Sequence, residues 1–186
     1  MKRILLIIAV VALACGCKRQ GGIVFNEICG KDADGDEWIE VANGSDRDIN
    51  VKGYKLVKYD KEGIDKTIYN FPDSIIKPGA VFVVNGSEIR AKIGKNGIPY
   101  KRSLSMEILD AHGRIVDVFD SKQDLGLKGH PEGSSYARIP NVVGEWTLCG
   151  SPTYDAANVN ERDVVPHPEH EASDFDDEED DETAEE

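Results

Sequence analysis

The chain is poor in the arrangements that catalysis leaves in a sequence. Its 186 residues contain no His-Glu-x-x-His, no Cys-x-x-Cys and no nucleophile elbow, and its histidines and serines fall mainly in turns. Hydrolysis needs a nucleophile, a base and an orienting group, or paired carboxylates in a cleft, so no enzyme is expected. Between Ile23 and Asn158 there is almost no 3.6-residue periodicity, which speaks against a helical bundle. No apolar run approaches the roughly 20 residues of a membrane-spanning helix. Lys and Arg are absent from Glu169 to Glu186, where 12 acids stand. The formal net charge of −13 therefore belongs to the tail, because the preceding residues carry 23 acids against 22 bases. At this length there is room for one domain and short flanks, and none for a fused enzyme.

What is present at the amino terminus reads as an export signal. Met1-Lys2-Arg3 is basic, and Ile4 to Ala14 is an unbroken apolar run. The run ends in Ala12-Leu13-Ala14-Cys15-Gly16-Cys17, which resembles a bacterial lipobox. That resemblance implies diacylglycerol on a cysteine thiol and cleavage before it, several acyl chains being needed for stable anchoring. Cys17 or Cys15 is the expected lipidation site. Cys17 is preferred because it leaves the mature chain an even pair, Cys29 and Cys149, in an oxidising compartment. The expected divisions are a signal peptide over 1–16 (or 1–14), a tether over 17–22, a domain over 23–160 and a disordered acidic tail over 161–186. Lys18-Arg19 after the cysteine imply release to the outer membrane rather than inner-membrane retention; the leaflet stays open.

The domain alternates short strand-like runs with turn signals. Ile23–Ile28, Glu37–Asn43, Ile49–Val51, Tyr54–Tyr59, Thr67–Phe71, Ala80–Val84, Leu104–Leu109, Arg114–Phe119, Ser135–Ile139 and Gly144–Leu148 are the predicted strands. Lys77-Pro78-Gly79 is a strong turn, and Ala80–Val84 reads as a fully buried central strand. Asp110-Ala111-His112-Gly113 closes a hairpin. The single expected helix is Ser87 to Gly94, with Ser87 as its cap and Ile89 and Ile93 on one face. Many short strands without crossover helices give an all-β class, an antiparallel β-sandwich.

Five motifs stand in order: Ile23-Val24-Phe25-Asn26-Glu27-Ile28 with Asp36-Glu37-Trp38-Ile39-Glu40-Val41-Ala42-Asn43; Ile76 to Gly79; Leu109 to Asp117; Gly133 to Pro140; and Trp146-Thr147-Leu148 with Ser151-Pro152-Thr153 and Ala156-Ala157-Asn158. Together they make the chain resemble the lamin-tail domain, an immunoglobulin-like module. Tyr154-Asp155 stand where the family pattern has Pro-Gly. The resemblance implies a non-catalytic binding or structural module, here lipid-anchored at the bacterial cell envelope and contacting a protein or glycan. An accessory subunit of a polysaccharide- or phosphoester-processing enzyme is the alternative. In such a sandwich the first and last strands commonly lie side by side, which implies a disulfide between Cys29 and Cys149.

Other constellations carry less. Asp32, Asp34 and Asp36 are weak calcium candidates, but Gly35 comes too early for a calcium loop. His167, Glu169 and His170 lie on a proline-interrupted segment with no preformed zinc geometry. No metal or other cofactor is expected. Glu27, Glu40 and Asp117 read as strand-borne acids on a solvent face. Lys92, Lys95, Lys101 and Arg102 read as a solvated loop, and a near-neutral body with a polyanionic tail is repelled by phosphate, so nucleic acid is not expected as a partner. The tail has almost nothing to bury and repels itself. Deleting residues 166–186 should therefore leave the melting temperature unchanged within about a degree; a loss of several degrees in a thermal scan would mean that the tail docks on the domain.

Overall fold

The structure, a computed structural model, describes residues 21–59, 65–93 and 97–158. The lipobox, with Cys15 and Cys17, and the acidic tail with His167 and His170 lie outside the described residues. Eleven strands are assigned within them: β1 (Ile23–Lys31), β2 (Trp38–Asn43), β3 (Ile49–Asn50), β4 (Lys55–Tyr59), β5 (Asp65–Asn70), β6 (Ile75–Ile76), β7 (Val81–Asn85), β8 (Ser105–Leu109), β9 (Ile115–Asp120), β10 (Ser134–Ile139) and β11 (Glu145–Cys149). Two short helices, α1 (Gly86–Ile93) and α2 (Ser121–Leu125), complete the described elements.

The strands form an antiparallel sandwich. One sheet has the order β11-β10-β1-β2-β7, the other β5-β4-β8-β9, and β3 pairs with β6 beside them. Alternation along each strand sends one set of side chains into the space between the sheets. Phe25, Ile28, Ile39, Val41, Tyr136 and Leu148 come from the larger sheet, and Leu56, Met106, Ile108 and Phe119 from the smaller. Phe119 is fully buried between Tyr136 and Trp146, at ring-centroid distances of 5.1 and 4.6 Å. Each buried side chain of this size contributes roughly 1.5–3 kcal/mol by leaving water.

The strand β1 is buried on both faces except at its last residue. Its inner face meets the core. Its outer face is covered by residues 150–158, which run back over the larger sheet after β11; this segment is called the strap below. Val24, Ala42 and Val142 make a small apolar cluster on that same outer face, with Val81 packed against it.

Four expectations are corrected. The Ala80–Val84 run is an edge strand, not a central one: β7 pairs only with β2, and three of its first four residues are half-buried. Its apolar outer side chains are partly covered by neighbours rather than by a second strand. A second helix exists. Asp120 caps α2 by accepting from the backbone of Lys122 and Gln123, and Gly126 at φ 71° ends it. Five residues are too few to show helical periodicity, so only these end signals could have revealed it. Ser87 does not cap α1, which begins one residue earlier; the carboxylate of Glu88 instead accepts from the Asn85 backbone at 3.2 Å.

The disulfide is the fourth correction. β1 and β11 do run parallel, but β10 lies between them. Cys149 pairs with Ser135 on β10, and Cys29 sits on the other side of that strand. Two strand spacings put the Cα atoms about 9–10 Å apart, beyond the limit of about 7 Å for a bridge. Both residues are buried thiols. Cys29 donates to the Ser134 carbonyl at 3.5 Å and Cys149 to that of Ser151 at 3.3 Å. Alkylation of the unfolded, unreduced chain from Gly21 onward should therefore add two groups, at Cys29 and Cys149; a mass with neither would restore the bridge.

Candidate functional site

The polar motifs converge on one residue. The register between β1 and β2 slips between Phe25 and Glu27, so Asn26 is an extra residue and β1 bulges there. A bulge removes backbone groups from the ladder, and buried backbone groups need partners. Three elements distant in sequence supply them. Asp117 on β9 accepts from the Phe25 N–H at 2.8 Å, Arg138 on β10 donates Nε to the Phe25 carbonyl at 2.9 Å, and Asn158 in the strap donates to the Asn26 carbonyl at 3.0 Å. The Asn26 side chain accepts from Val142 N–H at 2.8 Å and donates to Glu40 and Asn141 at 3.1 and 2.9 Å.

Arg138 is 7% exposed, lies 4.6 Å from the Trp146 ring and is 3.6 Å from the Asp117 carboxylate. Burial pushes the Asp117 carboxyl up, and the Phe25 N–H and Arg138 pull it back. Asp117 thus bridges the two sheets and is not on a solvent face.

Glu27 and Glu40 are cross-strand partners, and both are fully buried. The strap makes them so. Glu27 accepts from Ser135 Oγ at 2.5 Å, Thr153 N–H at 3.1 Å and Thr153 Oγ1 at 2.6 Å. Glu40 accepts from Asp155 N–H at 2.7 Å and from Asn26. Burial, with the neighbouring charge of Glu27 second, pushes the Glu40 carboxyl from an ordinary 4.5 up to about 7. Asp155 adopts φ 53°, a left-handed backbone, at the position where the family pattern has glycine. The solvent-face expectation for these acids is overturned.

A cleft of about 290 Å³ lies beside this network, between the β1–β2 loop, the start of α1 and the strap. Asp32, Asp36, Trp38, Ser87, Arg90 and Tyr154 line it. Tyr154 is 51% exposed; its ring meets Trp38 edge-on at 5.3 Å and its hydroxyl donates to Asn85 at 2.8 Å. Glu37 forms the floor, accepting from Arg90 and, at 2.5 Å, from the Ile98 backbone. A Cβ at Gly86 would lie 1.9 Å from Glu37 Cγ, so the turn into α1 requires glycine. Asp32 folds its own loop by accepting from the backbones of Asp34 and Asp36 at 3.0 and 2.7 Å. Among the described residues no group of three or more His, Cys, Asp or Glu could hold a metal, and Asp32, Asp34 and Asp36 do not converge.

The remaining predicted residues are dispersed. His112 is exposed in its hairpin, but His130 is buried, accepting at Nε2 from Gly30 N–H at 3.1 Å. Its Nδ1–H therefore donates to the Pro131 carbonyl at 2.9 Å, and burial pushes its pKa down. Lys101 and Arg102 are exposed on a loop, where the Lys101 ammonium lies 5.6 Å from the Tyr100 ring; Lys92 falls in the last turn of α1, and Lys95 lies outside the described residues. Sequence reasoning assigned no role to Asn26, Arg138, Thr153, Tyr154 or Asn158, although each stood inside a quoted motif.

The family model described as Lamin Tail Domain matches residues 18–123, more than half of the chain. The match ends before β10, β11 and the strap, so the closing motifs lie beyond it. No curated protein matches the chain.

Folding should be linked to protons through Glu40. The folded state holds its proton up to about pH 7 and the unfolded state only to about 4.5. In that interval the folded state binds more protons, so this group's contribution falls as pH rises and is flat above it. Comparing unfolding free energies of the protein and its Glu40→Gln variant from pH 4.5 to 8 should show the difference change by roughly 3 kcal/mol, against the wild type at high pH. A pH-independent difference would show that Glu40 is ionised throughout.

Proposed function

This chain belongs to the lamin-tail-domain family, and from that premise we propose that it is a lipid-anchored, non-catalytic recognition module of the bacterial cell envelope. The family is an immunoglobulin-like domain that is not generally catalytic. In this member the acids that might have served chemistry, Glu27, Glu40 and Asp117, are engaged in holding strands and strap together.

The observation that carries the reading is polarity along β1. The tether enters at Ile23, while Cys29 pairs with Trp38, so the cleft sits six residues along the strand from the tether. At about 3.3 Å per residue that is roughly 20 Å away. A lipid-anchored domain with this layout holds its tether end at the membrane and turns the β1–β2 loop, α1 and the cleft outward. An exposed aromatic ring beside carboxylates, a guanidinium and a hydroxyl suits a polar partner, a glycan or an envelope protein. Lys18-Arg19 after the proposed lipidation site, where an acidic residue would favour inner-membrane retention, support outer-membrane residence. A role as accessory subunit to an envelope polysaccharide- or phosphoester-processing enzyme remains the second reading, in which the cleft would face the partner enzyme.

Two measurements test this. Metabolic labelling with a palmitate analogue should mark the protein, and Cys17→Ser should abolish the label, with Cys15→Ser doing so if the first cysteine is used. Labelling that survives the double substitution refutes the anchor. Immobilised residues 21–158 should retain an envelope component that the Tyr154→Ala variant retains at least tenfold less; equal retention by both refutes the cleft as the recognition surface.

A further inference from the structure

The strap serves two sites at once. Thr153 is tied to Glu27 and Asp155 to Glu40, and Tyr154, between them, is a wall of the cleft. Each buried carboxylate contact is therefore made by an immediate chain neighbour of the residue whose ring rests on Trp38. Any change that lifts Thr153 or Asp155 off the sheet must carry Tyr154 with it.

The contacts are sensitive to charge. Among the described residues, every donor that hydrogen-bonds the carboxylate pair is uncharged: the Asn26 amide, the Ser135 hydroxyl, the Thr153 N–H and hydroxyl, and the Asp155 N–H. The titratable groups facing the pair are all acidic. From β1 they are Glu27 itself and the Cys29 thiol, which burial, with Asp32 and Glu27 next, pushes up; from the strap it is the Asp155 carboxyl, and β2 and β10 contribute Trp38 and Ser135, which carry no charge. The guanidinium of Arg138 is committed to Asp117, Phe25 and Gly144. Two ionised carboxylates at paired positions repel, and burial without a cation leaves that repulsion unscreened. Admitting water beneath the strap relieves it.

We propose that the strap is a proton-controlled gate on the cleft, closed while Glu40 keeps its proton beside Glu27 and loosened when Glu40 ionises. Loosening withdraws Tyr154 from Trp38 and opens the cleft wall. That the cleft is thereby switched for recognition rests on the function proposed above; the opening of the strap does not.

The test reads the free protein, so the absence of any cleft ligand cannot be mistaken for failure of the gate. In the full chain, hydrogen exchange at the Thr153 and Asp155 amides, corrected for intrinsic rates, is compared between pH 6 and pH 8.5. Protection of both should fall about tenfold or more as pH passes 7, while amides of β4 and β8 keep theirs. In Glu40→Gln, whose side chain still offers an oxygen to Asp155, protection should be independent of pH. In a Trp146→Phe background, which leaves Trp38 as the one tryptophan, acrylamide quenching should rise over the same pH range. Constant strap protection in the wild type, or an equal fall in Glu40→Gln, overturns the gate. If Glu40→Gln fails to fold, carboxyl NMR of the wild type decides: an opening midpoint that does not coincide with the titration of Glu40 overturns it as well.

Discussion

The polar network about the start of β1 is arranged around the backbone that one extra residue frees. The bulge at Asn26 takes the Phe25 N–H and carbonyl and the Asn26 carbonyl out of the ladder inside a buried strand. Left unpaired, each such group costs about 1–3 kcal/mol. Partners arrive from β9, β10 and the strap, elements 92 to 132 residues away in sequence. The correct sandwich is the arrangement in which all of these arrive together. A slip of β10 or β9 by one residue would turn Arg138 or Asp117 away and leave the bulge unsatisfied. The apolar core favours collapse in general, whereas the bulge specifies which strands meet.

The network also has a weakness of its own making. Satisfying Asn26 with Glu40 brings that carboxylate beside Glu27 in a region the strap seals from water. Hydrogen bonds from Asn26 and the strap favour the ionised form of Glu40, and desolvation and the neighbouring charge of Glu27 oppose it. Val142 is another cost of the same kind. Its N–H reaches Asn26 only with φ at 70°, a backbone that a β-branched residue adopts under strain. Such tension is tolerable where surrounding contacts over-determine the geometry, and here the surrounding contacts are the family motifs.

Strands were legible in the sequence because alternation and turn residues act locally. The Lys77-Pro78-Gly79 turn closes with Ala80 N–H on the Lys77 carbonyl at 3.0 Å and Gly79 at φ 73°, and the Asp110 hairpin closes with Gly113 at φ 77°. Strand order was less legible. That β10 separates β1 from β11 depends on pairings more than 100 residues apart, and no local signal encodes them. The state of the acids was hidden for a related reason. Glu27 and Glu40 look like solvent-facing strand residues until a segment carrying Thr153 and Asp155 is laid over them, and alternation along β1 says nothing of what lies above its outer face. Asn158 and Arg138 could have been suspected, being polar residues in motifs otherwise made for packing. The cleft could not, since it arises only where the strap, the first loop and α1 meet.

The bond from Asn158 to the carbonyl of Asn26 spans 132 residues and joins the last described position to the first strand. Its kinetic consequence is order. The bulge near the start of β1 cannot be satisfied until the strap has been synthesised and delivered, so the native state is unreachable for any shorter nascent chain. Folds dominated by such distant pairings form slowly, because loop closure must precede the contacts that reward it. In the exported protein proposed above, lateness of this kind would keep the chain threadable until the strap had passed, and only then could it close.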